Sequence, residues 1–78
     1  MAGINKEHLI RTDKERNYVH KNVQATYTVF EVEGKKYFQI DTFGREERKI
    51  PGKTSQSIQF DRETAEYLLD LLKREFNI

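Results

Sequence analysis

Few residues in this 78-residue chain have both the type and the spacing that chemistry requires. Gly52-Lys53-Thr54-Ser55 has the closing residues of a P-loop, whose Lys reaches phosphates and whose hydroxyl holds Mg²⁺. That motif needs a Gly five positions before Gly52, where Glu47 stands, and a helix directly after, where the residues alternate as in a strand. Ser57 and His20 are of nucleophile and base type, but no third orienting group and no oxyanion device accompanies them. Glu46 and Glu47 are adjacent in an extended run, so they point to opposite faces and cannot work as a paired acid and base. His8 and His20 are the only histidines, cysteine is absent, and no Asp/Glu cluster lies at a ligand-like spacing from either. The expectation is a protein without catalysis, metal or cofactor.

The constellation that remains is aromatic and cationic. Phe30 and Tyr37 fall opposite each other on two neighbouring strands, ringed by Lys35, Lys49, Thr28, Gln39, Ser57 and Gln59. Exposed rings beside Lys and Arg suit single-stranded nucleic acid, because bases stack on the rings while the cations follow the phosphates. On this reading Phe30 and Tyr37 stack bases, and Lys35, Arg45, Lys49, Lys53 and Lys21 contact phosphates. The competing reading makes the two rings a pairing device that steadies a hairpin, or a patch covered by the N-terminal arm or another subunit.

Positioning these residues is the task of a small sheet. From Gln24 the pattern has a period of two, and residues 26–32 are dense in β-branched and aromatic types. Glu33-Gly34 makes a two-residue hairpin turn into residues 35–42, and fixes Val32 opposite Lys35, Phe30 opposite Tyr37, Val29 opposite Phe38 and Tyr27 opposite Ile40. One face then holds Tyr27, Val29, Phe38 and Ile40 as core, and the other holds Phe30, Tyr37, Gln39 and Asp41. A three-residue turn at Phe43-Gly44-Arg45 leads to a third strand over 46–50, with Arg48 and Ile50 facing Ile40 and Phe38. Pro51-Gly52 breaks it, and residues 55–60 form a fourth strand with Ile58 and Phe60 inward.

Asp61 caps a helix whose Ala65, Leu68, Leu69, Leu72 and Phe76 recur at helical spacing and cover the inner face of the sheet. The expected fold is α+β: a four-stranded antiparallel meander, then one C-terminal helix packed on one face. Residues 1–23 are polar without a period and read as a flexible or partly extended arm that joins the fold near Tyr18, leaving 24–78 as the domain.

A chain of this length buries only about 60% of its unfolded surface, so the core of a monomer is thin. With neither disulfide nor metal in prospect, self-association is the remaining way to enlarge it. No apolar run nears the ~20 residues that span a bilayer, and the first residues lack a hydrophobic signal core, so a cytoplasmic location is expected. Net charge is +1. Residues 61–78 carry three Lys/Arg against five Asp/Glu, and the rest of the chain is mildly basic, which directs any polyanion to the sheet side.

The stretch from Tyr37 to Leu72 resembles a known family. Phe38-Gln39-Ile40-Asp41, then Pro51-Gly52-Lys53-Thr54-Ser55-Gln56-Ser57-Ile58-Gln59-Phe60, then Asp61-Arg62-Glu63-Thr64-Ala65-Glu66-Tyr67-Leu68-Leu69 is similar to the positive cofactor four type of transcriptional coactivator domain. The resemblance implies a homodimer whose sheets form a channel for single-stranded DNA, with Lys53 and the residues of the two preceding strands facing the DNA. It implies a dimer interface at Tyr67, Leu68, Leu71 and Leu72. The alternative is a protein-interaction module, such as a phage or mobile-element accessory protein, that uses the same aromatic face on a protein partner.

Overall fold

A computed structural model describes residues 1–44 and 54–78. Among them, four strands form one sheet: β1 (Ala2–Gly3), β2 (Ala25–Val32), β3 (Lys35–Phe43) and β4 (Thr54–Asp61). A 3-10 turn at Lys6–His8 follows β1, and the helix α1 (Arg62–Phe76) follows β4 without a break. The class is α+β, as the residue pattern predicts.

The hairpin has the predicted register throughout, including Phe30 opposite Tyr37 and Tyr27 opposite Ile40. Glu33 and Gly34 both take positive φ, 51° and 76°, the geometry of a turn whose twist matches that of the strands it joins.

Beyond the hairpin the topology departs from the meander. The spatial order is β1-β4-β3-β2, and β1 runs parallel to β4, so the sheet is mixed. β4 pairs directly with β3, placing Phe60 opposite Phe38 and Ile58 opposite Ile40, where residues 46–50 were expected. The predicted third strand itself lies outside the described residues. The reason for the change is that Ile58 and Phe60 fill the apolar side opposite Phe38 and Ile40 at least as well as Arg48 and Ile50, so alternation alone does not choose between them. A register shift between Thr42 and Phe43 interrupts the β3–β4 ladder, which closes on Phe43 opposite Thr54.

The arm also joins the fold elsewhere. Contact is made at its start, where β1 pairs with β4 and the Ile4 amide donates to the Gln59 carbonyl at 2.8 Å, while Tyr18 stays exposed. From this edge, residues 9–24 run without strand or helix to β2 at the opposite edge, and only Leu9 among them is partly covered.

α1 starts at Asp61, whose Oδ1 accepts from the Thr64 amide at 3.1 Å, and ends on Asn77 in the left-handed region. Thr64 is completely buried, and its hydroxyl oxygen accepts from the Lys6 amide at 3.0 Å. About three helical turns further on, Glu75 meets the guanidinium of Arg11 at 2.9 Å. Thr64, Leu68, Leu71 and Glu75 share one side of a helix, so that side is the one turned to residues 4–11.

The core expected between helix and sheet is therefore incomplete. No apolar side chain among the described residues is fully buried. Tyr27 and Val29 on the inner face, and Leu69, Leu72 and Phe76 on the helix, all stay substantially exposed. The helix meets both the N-terminal segment and strands β3 and β4, and leaves Leu69, Leu72 and Phe76 free.

Candidate nucleic-acid interface

Period-two alternation divides the sheet into an apolar and a polar side. On the apolar side Tyr27, Phe38 and Phe60 form a stacked column across three strands, with centroid separations of 5.2 and 5.5 Å. The polar side carries the Phe30–Tyr37 pair, with ring centroids 5.6 Å apart and planes inclined by 21°. Both rings are half-buried, and their offset stacking is the favourable arrangement for aromatic pairs.

Next to that pair the β3–β4 register aligns four polar side chains. Gln59 lies opposite Gln39 and Ser57 opposite Asp41. The Gln59 amide donates to Gln39 at 2.9 Å, the Gln39 amide donates to Asp41 at 3.0 Å, and the Ser57 hydroxyl donates to the same carboxylate oxygen. Ser57, expected outward and open, is only 6% exposed. Its hydroxyl donates to Asp41, not to His20. The ladder was not visible in the sequence because it depends on β4 lying beside β3.

Lys35 sits at the hairpin end of the polar side, 3.5 Å from Asp61 Oδ2, with its side chain still largely exposed. Asp61 is held below the ordinary aspartate pKa, chiefly by the hydrogen bond from the Thr64 amide and further by the Thr64 side chain and Lys35, against an opposing contribution from burial. A phosphate approaching Lys35 therefore competes with a carboxylate that is anionic at neutral pH.

Arg45, Lys49 and Lys53 lie outside the described residues. Lys21 is exposed on the segment joining the two sheet edges, away from any strand. Thr54 and Ser55 belong to a strand, as the rejection of a P-loop requires. Among the described residues no cluster of His, Asp and Glu could hold a metal ion, and no helix is long and apolar enough to cross a membrane. Of the residues assigned to a dimer interface, Leu68 and Leu71 are half-buried on the side turned to residues 4–11, whereas Tyr67 and Leu72 are exposed.

An open groove of about 650 Å³ lies at the hairpin end of the apolar side. Val29, Phe38, Phe60 and Ala65 give it an apolar floor, and Lys36 and Arg62 stand at its border. Ala65 there shows that α1 departs from the apolar side of the sheet. Compared with known protein families, curated proteins and solved structures, the chain has no match.

Proposed function

We propose that this chain binds single-stranded nucleic acid, as a homodimer and without catalysis, through the polar side of its sheet. The observation that supports it most is the stacked Phe30–Tyr37 pair on that side, beside the amide groups of Gln39 and Gln59. Rings at a sheet surface provide a platform for bases, and each stacked base is worth roughly 1–3 kcal/mol. Lys35 supplies a cation at one end, and Arg45, Lys49, Lys53 and Lys21 are the further phosphate contacts the reading calls on. Asp41 in the middle of the surface repels phosphate, so the strand would lie with its bases toward the ladder and its backbone toward the rim.

The test is fluorescence anisotropy with a labelled oligothymidine of about 20 nucleotides, long enough for a typical site, beside the matching duplex. Single-strand binding that weakens with salt, by a slope of about −0.7 per phosphate contacted, is the expected result. No binding at low salt would overturn the reading.

A second reading, a protein-interaction module, is favoured by a different observation: the exposure of Tyr27, Val29, Leu69, Leu72 and Phe76 on the apolar side. Partner binding through that side would be insensitive to salt, which separates it from the first.

A further inference from the structure

The apolar side has an unmet need for cover. A folded monomer of 9.3 kDa exposes about 5,000 Å² of surface. This chain exposes 7596 Å². Its radius of gyration is 14.9 Å, against about 11.5 Å for a compact chain of this length. The excess is about 2,600 Å²; residues 9–24, exposed except at Leu9, supply part of it and the open apolar surfaces another, where a standard interface takes ~800 Å² from each partner.

Two apolar surfaces contribute to that excess, and they match. On the sheet, Tyr27, Ile40 and Ile58 form one cross-strand row and Val29, Phe38 and Phe60 the next. The rows lie about 7 Å apart along the strands and span about 10 Å across them. On the helix, Leu69, Leu72 and Phe76 form a stripe about 10 Å long, set roughly 100° round the axis from the middle of the side that carries Thr64, Leu68, Leu71 and Glu75. That stripe does not face the N-terminal segment, whose contacts use Thr64 and Glu75. Leu69 is 56% and Phe76 69% exposed, and Tyr27 on the sheet is 70% exposed. Each chain thus offers one apolar helix stripe and one apolar sheet face of comparable extent, and leaves both open.

We infer that a second copy of this chain covers the apolar side, with the Leu69–Leu72–Phe76 stripe of each copy laid on the Tyr27–Phe38–Phe60 face of the other. The arrangement is isologous, because each copy gives a stripe and receives one, and it closes after two chains. It rests on the dimer in the reading above, and it goes further by replacing contacts between helices with helix on sheet. It also leaves the Phe30–Tyr37 side facing outward in both copies.

The chain has no cysteine, so introduced thiols report without background. Val29→Cys and Leu72→Cys are made as separate variants at exposed positions, one carrying a mass tag, then mixed, allowed to exchange and treated with a short bis-maleimide. Light scattering gives the mass of each beforehand. The expected result is a mass of two chains and a Val29–Leu72 cross-linked heterodimer formed in higher yield than either variant gives with itself. A dimer in which Leu72 links only to Leu72 would overturn the helix-on-sheet inference while keeping the dimer. A monomer by light scattering at micromolar concentration would overturn both. A dimer cross-linked as expected that binds no oligonucleotide would retain this inference and remove only the nucleic-acid reading.

Discussion

The backbone amide of Lys6 donates to the hydroxyl oxygen of Thr64 at 3.0 Å, closing a separation of 58 positions. Thr64 is fully buried and its own amide donates to Asp61, so one residue joins the helix cap to the N-terminal segment. Thr64→Val keeps the shape and removes the acceptor, leaving the Lys6 amide without its partner. The expected loss is about 1–3 kcal/mol, or some 4–8 °C in Tm per kcal/mol for a domain of this size. Thr64→Ser keeps the acceptor and should retain most of that stability. Thermal melts at one fixed protein concentration measure both, and a Val variant that melts with the parent would show the bond to be idle.

The Glu33-Gly34 turn makes a prediction of opposite sign. Glu33 takes a positive φ that L-residues with larger side chains disfavour and asparagine tolerates. Glu33→Asn should raise stability by roughly 0.5–1 kcal/mol. Gly34→Ala should lower it by about 1 kcal/mol, for conformational reasons alone, since an added Cβ meets no atom within 4 Å. Chemical denaturation of the two variants beside the parent checks the pair.

Asp61 gives the pH dependence. Its pKa is lowered in the folded chain, so the unfolded state binds the proton more readily. Its contribution is fully present above the ordinary aspartate pKa of about 3.9 and is lost as pH falls through the lower folded value. Asp61→Asn keeps an acceptor for the Thr64 amide and should flatten this acid limb. A variant whose stability falls with acid as steeply as the parent's would assign the limb to other carboxylates.

For the proposed interface, Phe30→Ala with Tyr37→Ala should weaken oligonucleotide binding at least tenfold, about 1.4 kcal/mol, while far-UV circular dichroism stays native. If the pair of changes unfolds the protein, the rings are a hairpin device and the base-stacking model fails. Tyr37→Phe separates the polar handle from the ring and should bind nearly as well as the parent.

What the sequence reveals and what it hides divides along sequence distance. The register of the β2–β3 hairpin was legible to the residue, and its strand ends to within one, because its turn and its alternation are local and agree with each other. Asp61 as cap was legible for the same reason, and β4 to within one residue at each end. β1 was not, because Ala2–Gly3 is too short to show alternation and its partner is near the other end of the chain. The β3–β4 pairing was hidden by residues 46–50, which alternate well enough to stand in for β4.

The polar ladder illustrates the cost of that ambiguity for function. Gln39, Asp41, Ser57 and Gln59 were all assigned to the right face, yet their mutual bonds follow only from the correct neighbour. The helix stripe was expected to cover the sheet, and Leu69, Leu72 and Phe76 of it stay exposed. Periodicity identifies which positions are apolar, and tertiary geometry decides what they meet.

The parallel pairing of β1 with β4 also sets an order of events in time. A ribosome delivers Ala2 early and Ile58 late, so the earlier strand has no mate while the hairpin between them is already able to close. During that interval the leading segment is loose, and its clasp to Thr64 forms last. Refolding followed by pulsed hydrogen exchange should then protect the β2–β3 amides first and the Ile4 and Lys6 amides at the end.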